Sequence, residues 1–437
     1  MSNRTGHPAK AAAGADAVPG DWHMTRVLWP FMLASAVGLV PFTVYSTFLV
    51  PIADTADGSV AALGQLRGLG GLAALAVGTA LAPLIDRVPK DRAAAGGLAV
   101  LALSAALGAT GEFLLLTAFC LLVGAGTAVL NPALTAAAAD RFGSDAAAGR
   151  AATLVTATQS LTALLAAPLV ALPAVLWGWQ GDLWAIAAVT SALALYFLLR
   201  GRRGRHADRE AGAGQEHAED GERAEDEERA ARPGYLASFR SLGALPGVVP
   251  LLCVAMLRTA AFMGYLAYLA AFYDERFGLA PGPFALVWTL SGTAFFLGNL
   301  LAGRLLSTGR PGVPAERLMT FALLVALAAL TGVFFTHSLF VALPLTALVG
   351  AGHATVAACV TTLLVRRCGS LRGTALSLNA AGMSFGVFLG AGVGGTGLAL
   401  GGYPGTAAAL GALTLAALLF ARAAARSTPG TGRPPTP

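Results

Sequence analysis

Apolar runs of about 20 residues, separated by short polar breaks, recur along this chain, and that is the length an α-helix needs to cross the hydrocarbon core of a bilayer. Segments such as 27–50 and 321–335 are apolar on nearly every face. Membrane barrel strands would instead alternate apolar and polar residues over shorter stretches. With 56% of its residues hydrophobic and 12% charged, the chain carries more apolar surface than one soluble core covers. The pattern predicts an all-α membrane protein.

Apolar windows fall at 27–50, 59–84, 93–110, 113–138, 152–176 and 183–199, then at 247–272, 284–306, 318–336, 339–364, 374–398 and 404–421. Six spans and then six predict about twelve transmembrane helices. The remainder divides into an N-terminal tail, 1–26, a linker, 200–246, and a C-terminal tail, 422–437. From Arg200 to Arg240 the hydrophobic pattern stops and mixed charge takes over, which reads as a solvated tether.

Lys and Arg set the orientation. Placing the N-terminus in the cytoplasm puts Arg26, Arg87, Lys90, Arg92, Arg141, Arg150 and the linker on the inside. The same choice puts Arg304, Arg310, Arg317, Arg366, Arg367, Arg372, Arg422 and Arg426 there too, and leaves Arg276 for the opposite loops. One missed span would scramble every later loop, so the one-sidedness supports both the count and the direction. Both termini are expected in the cytoplasm of a bacterial-type plasma (inner) membrane. No short apolar core with a small-residue cleavage site precedes the first span, and no cleaved signal peptide is expected.

The formal net charge of +6 is spread over short loops, which fits lipid headgroups and excludes a nucleic-acid patch. The four cysteines show no CxxC, zinc or haem spacing, so no metal and no cofactor is expected. No nucleophile with its base occurs in a loop or cavity position, and no GxxxxGK[ST] is present. Neither an enzyme nor an ATP-driven pump is expected.

Between the second and third spans the chain reads ALAPLIDRVPKDR, and at the matching place in its second half LLAGRLLSTGR. These resemble the loop signature GxLaDRxGRR of the major facilitator superfamily. Asp86, Arg87 and Lys90 stand at its Asp, Arg and first basic positions, while Gly303, Arg304 and Arg310 carry a weaker second copy without the acid. The loops DRFGSDAAAGR and RRCGSLRGTALSLN are also similar to the family, with Arg150 and Arg372 in matching places. The resemblance covers nearly the whole chain outside the tails and linker. It implies the major facilitator fold, two pseudo-symmetric six-helix bundles at 27–199 and 247–421, and is nearest to the twelve-helix drug and metabolite efflux branch. Cys120 stands four residues before Gly124 where proton-driven exporters of the superfamily have an Arg, and AAPLVALP keeps only Pro168 of the antiporter GPxxGG stretch.

An acid at a cytoplasmic helix end beside Arg and Lys can latch one conformation by charge-assisted bonds and release it when helices move. Asp86, Arg87, Lys90, Gly303, Arg304 and Arg310 are therefore the candidate gate. Gly382, Gly386, Gly390 and Gly394 lay a smooth ridge on the eleventh span, and Gly64, Gly68 and Gly71 repeat it on the second. In the superfamily these two helices lie against each other where the halves meet, so glycine ridges there are expected to allow the rocking of alternating access. Pro30, Pro41, Pro132, Pro168 and Pro344 mark expected kinks.

Ionisable side chains in hydrocarbon need a reason, since an Arg at a helix centre costs roughly 2.5 to 3.5 kcal/mol on insertion scales. Arg258, Arg67 and His353 lie within spans, and no Asp or Glu lies deep in any. Arg67 has Asp54 or Asp57 as candidate partners, and Arg258 heads a helical stripe of Phe262, Tyr265, Leu269 and Phe272. His353, with a solution pKa of about 6.5, is the candidate proton carrier. Tyr45 and Asn131 lie in helices that line the cavity in the family, whereas Gln159 and Asn379 are expected to bridge helices. The candidate substrate-binding set is thus Arg258, Arg67, Tyr45, Asn131, Phe262, Tyr265 and His353.

The function these features imply is secondary transport of a small organic solute by alternating access. The leading form is a proton-coupled efflux permease, an antiporter acting as a monomer. An uptake or exchange permease for an organic anion, held by Arg258 and Arg67, is the alternative. A non-transporting sensor on the same fold is a third reading.

Overall fold

The computed structural model describes residues 21–85, 88–142, 145–211, 235–307 and 314–427, and among these every long element is a helix. In chain order they are α1 (Asp21–Val37), α2 (Val40–Thr47), α3 (Leu49–Thr55), α4 (Val60–Ile85), α5 (Lys90–Gly108), α6 (Phe113–Ala139) and α7 (Asp145–Ala211). There follow α8 (Tyr235–Ala244), α9 (Val248–Phe277), α10 (Pro281–Ser307), α11 (Ala315–Phe335), α12 (Leu339–Cys368) and α13 (Arg372–Arg426).

Ten helices among the described residues are long and apolar enough to cross a membrane. Two of them contain a break. Gly178 in α7 has φ 70°, and Gly401 and Gly402 in α13 leave helical geometry, Gly402 with φ 58°. A left-handed residue there turns the chain at little cost only because glycine lacks a Cβ. Each arm is long enough to span, so the expected count of twelve depends on counting these arms separately.

Several boundaries differ from the sequence reading. The first helix starts at Asp21 and includes Arg26, and it breaks after Val37 so that Pro41 opens α2 instead of kinking a continuous span. A proline in the first turn costs no hydrogen bond, because the N–H it lacks would have been unpaired anyway. The region taken as a tether is helical at both ends. α7 continues through Arg200 to Ala211, a stretch in which the good helix former Arg recurs despite two glycines. α8 lies inside the same region and sinks Leu242 into a core with Val248 and Leu251. α13 runs on to Arg426, burying Ala424 beyond the expected end at 421.

Three apolar cores form. One gathers residues from α1 to α7 and admits Ala267, Tyr268 and Ala271 of α9. The other two gather α9 to α13, and one of them admits Ala167 and Ala171 of α7. The halves therefore touch along α4 with the first arm of α13 and along α7 with α10. Around the outside, Leu172, Leu176, Phe321 and Phe340 stand exposed, which makes an apolar belt suited to lipid.

The two glycine ridges do not face one another. Gly386 and Gly390 abut the backbone of Met256 and Ala260 on α9, leaving no room for a Cβ. Gly68 and Gly71 of α4 instead meet Ser384, Val387, Phe388 and Ala391, the neighbouring face of the same α13 arm. One arm thus carries both contacts on adjacent faces: glycines toward its own half, small and aromatic residues toward the other.

Candidate functional site

Between α7, α9 and α10 lies a cavity of about 290 Å³. α9 contributes Phe262, Met263 and Leu266, and α10 contributes Trp288, Ser291, Gly292, Phe295, Phe296 and Asn299. Trp288, Ser291, Phe295 and Asn299 follow at spacings of three and four, which lays them on one helix face. Gln159 of α7 closes the third side and donates its amide N–H to Asn131 Oδ1 at 3.1 Å. No charged side chain is in this wall. Ser291, 3% exposed, brings a hydroxyl to the same wall. Such a site offers ring faces, apolar area and a few hydrogen-bonding groups.

Directly behind this wall lies the deep cation. Arg258 is 3% exposed, and its Nη1 donates to the carbonyl of His353 at 3.3 Å and its Nη2 to Thr259 Oγ1 at 2.9 Å. No carboxylate pairs with it among the described residues. The ring of His353 lies 5.1 Å from that of Phe262, which stacks on Phe295 at 5.4 Å with 17° between planes. The order from the cavity inward is Phe295, Phe262, His353, Arg258.

A third cluster ties the halves together along the first part of α4. Arg67 Nη1 donates to the carbonyl of Met263 at 3.4 Å, with its guanidinium over the Phe42 ring. Neither Asp54 nor Asp57 pairs with it, so the expected acid partner is replaced by a carbonyl and an aromatic face. Gln65 Nε2 reaches the carbonyl of Gly392 at 3.3 Å and Thr396 Oγ1 at 3.4 Å. Tyr268 Oη donates to the carbonyl of Ala391 at 2.8 Å and lies 3.4 Å from that of Ala61.

Of the remaining candidates, Phe262 is in the cavity wall, whereas Tyr45 and Tyr265 are not. Tyr45 donates to the carbonyl of Leu63 at 2.7 Å and stacks on Phe119. Tyr265 shares the Thr346 hydroxyl with Tyr273, each at 2.8 Å. Asn131 touches the site only through Gln159. Asp86, Arg87 and Arg310 lie outside the described residues, while Gly303 and Arg304 stand exposed near the end of α10. Beside Lys90, Asp91 holds Arg141 at 3.7 Å and Arg200 at 3.8 Å, both guanidinium groups also covering the Phe31 ring. In the second half, Glu316 holds Arg367 at 2.8 Å. These ion pairs stay within one half each.

Of the wall residues the sequence reading put only Phe262 in a site, and it missed above all the stripe of Trp288, Ser291, Phe295 and Asn299 on α10. Their helical spacing was the available signal, outweighed there by attention to ionisable groups.

A family model described as Major Facilitator Superfamily matches residues 31–373. Among solved structures, a bacterial homolog of the human lysosomal transporter Spinster, inward-facing and unoccupied, aligns with TM-score 0.73 at 17% identity, over 95% of this chain and 100% of that one. The nucleoside transporter NupG aligns with TM-score 0.68 at 14% identity, covering 92% and 98%. A peptide transporter, POT, in complex with alafosfalin aligns with TM-score 0.67 at 16% identity, covering 94% and 98%. No curated protein matches significantly by sequence. These neighbours share the fold, and the family match covers most of the sequence: the chain is a multi-pass membrane protein of the transporter type and belongs to the major facilitator superfamily.

Proposed function

We propose that the protein exports a small, largely apolar, ring-bearing organic solute by alternating access of two six-helix halves, coupled to a proton gradient. The cavity wall carries this reading: aromatic faces from Phe262, Trp288 and Phe295, with hydrogen-bonding groups from Gln159, Ser291 and Asn299 and no charge. An anion permease with Arg258 and Arg67 as direct ligands is less favoured, since neither guanidinium is in that wall. Export rests on the resemblance of the chain as a whole to the twelve-helix drug and metabolite exporters of the superfamily, and His353, whose ring packs against Phe262 of the wall, is our candidate for the coupled proton.

Inverted membrane vesicles test this. A proton gradient should drive accumulation of some members of a panel of small ring-bearing solutes, and Trp288→Ala should cut their uptake about tenfold or more. Burying one aromatic ring is worth about 1.5–3 kcal/mol, which sets that scale. Gradient-independent uptake, or none across the panel, would sink the proposal.

Orientation is checked separately. Reporters fused at Ala211 and at the C-terminus should both report the cytoplasm, as the distribution of Lys and Arg demands. A periplasmic signal at either place overturns the topology.

A further inference from the structure

We propose that Arg258 and His353 form a second site, for a small monovalent anion, which lies behind Phe262 and joins the cavity when that ring turns aside. This goes beyond the transport reading and does not depend on the direction or coupling of transport.

The argument starts from unmet hydrogen bonds. Arg258 Nε and both ring nitrogens of His353 are buried and have no hydrogen-bond partner in the protein. The acceptors that Arg258 does reach, the carbonyl of His353 and the Thr259 hydroxyl, are neutral. Thr259 itself donates to the carbonyl of Ala255 at 2.8 Å, so its oxygen is free to accept from the guanidinium. Arg258 and His353, joined through the His353 carbonyl, therefore hold three unsatisfied polar nitrogens and one positive charge without a carboxylate among the described residues. Each unsatisfied buried group is destabilising, and a buried charge without a counter-charge more so. A monovalent anion answers most of this: it neutralises the guanidinium, accepts from Nε–H and accepts from the one N–H of a neutral imidazole, whose other nitrogen stays an acceptor. The described carboxylates do not serve, because those on the spans, such as Asp91, Asp182, Asp274 and Glu316, sit near helix ends or breaks.

The same geometry supplies a door. Phe262 lines the cavity and is packed against both the Phe295 ring and the His353 ring. In the proposal a rotamer change of this phenylalanine opens the way from the cavity to His353 and Arg258. The anion has two possible sources with one chemistry: a free halide, or an acid group on the solute whose ring fills the cavity.

The test is the unfolding midpoint of purified protein in detergent. Sodium gluconate, a polyhydroxylated anion unsuited to an apolar, ring-lined cavity, keeps ionic strength constant while sodium chloride or sodium benzoate replaces it. The wild type should be stabilised by at least one of the two, and Phe262→Ala should reach half-effect at a lower concentration. Arg258→Gln should abolish the rise, and Arg258→Lys, a point charge without the guanidinium fork, should need about tenfold more anion. A response to chloride alone assigns the site to a free anion; a response to benzoate alone assigns it to the acid group of a solute. Should Arg258→Gln yield no folded protein, Arg258→Lys and His353→Phe carry the comparison. No rise with either anion in wild type and Phe262→Ala, or an undiminished rise in the Arg258 and His353 variants, overturns the proposal. Failure of transport in vesicles would leave this result standing, so the two readings fail separately.

Discussion

Gly390→Ala should lower the unfolding midpoint of the purified protein markedly, while Gly392→Ala, two residues away on the same helix, should leave it unchanged or raise it slightly. A Cβ at Gly390 would run into the carbonyl oxygen of Ala260, with that residue's carbonyl carbon 2.6 Å away and its Cα 2.8 Å away. These are backbone atoms, which cannot swing aside as a side chain would. The contact is reciprocal, since a Cβ at Gly264 of α9 would lie 2.5 Å from the carbonyl oxygen of Gly390. To accept the methyl group, α9 and α13 must separate along the seam that sets the position of Arg258 and Phe262. Overpacking of this kind costs about 1–3 kcal/mol. At Gly392 nothing lies within 4 Å of the added Cβ, so the substitution gains only the higher helix propensity of alanine, about 0.5–1 kcal/mol. The pair separates packing from propensity within one helix. Thermal unfolding followed by a thiol-reactive dye reads both variants, because Cys120, Cys359 and Cys368 are buried in the native fold. Equal midpoints for the two would show that the α9–α13 seam is not tight.

Much of this architecture is legible in the sequence because it is dictated by solvent. Hydrocarbon demands long apolar helices with satisfied backbones, so the spans declare themselves by length, and the Lys and Arg loops declare their direction. Where helices end is less legible, since polar residues are read as loops although Arg, Ala and Glu continue α7 through Arg200 to Ala211. Glycine spacing correctly announced close packing, but spacing alone gives no azimuth: Gly386 and Gly390 face α9, not α4. The neighbours of Arg258 were beyond reach for a related reason. His353 is 95 residues away on α12, and nothing in either segment's pattern pairs them. At the charged loop, attention fell on Asp86, whereas among the described residues the acid that gathers two arginines is Asp91. Both stand in one run, ALAPLIDRVPKDR, and a motif match does not say which acid meets a neighbouring helix end.

Tyr268→Ala should shift the protein toward a form in which the two halves part at the α4 end, and Tyr268→Phe should do so more weakly. Tyr268 lies on α9 and is fully buried where α4 and the first arm of α13 meet. Its ring occupies a slot made of glycines: a Cβ at Gly64 would collide with the ring, one at Gly394 would come within 3.1 Å of it, and one at Gly395 would strike the hydroxyl. The hydroxyl then donates to the carbonyl of Ala391 on α13 and approaches that of Ala61 on α4. Together with Gln65 and Arg67, this ring makes the polar ties between the halves near the start of α4, while the ion pairs at Asp91 and Glu316 bind only within their own halves. Alternating access has to break such ties in one of its states. The 2.8 Å bond to Ala391 lies within the second half and survives separation, so losing the hydroxyl removes only the 3.4 Å approach to Ala61 across the halves, about 0.5 kcal/mol or a roughly twofold change in the ratio of states. Losing the ring as well empties the glycine slot and should bring the total to about 2–3 kcal/mol, a shift of roughly 30-fold or more. Spin labels at Ser59, just before α4, and at Leu400, at the end of the first arm of α13, are both exposed and report the separation directly. In lipid nanodiscs the wild type should show mainly the short distance, Tyr268→Phe a minor long component, and Tyr268→Ala a dominant one. Adding Gln65→Ala to Tyr268→Phe should enlarge the long component further, because Gln65 grips Gly392 and Thr396 on the same arm. Distance distributions that stay identical in all of these variants would show that Tyr268 packs the interface without holding it shut.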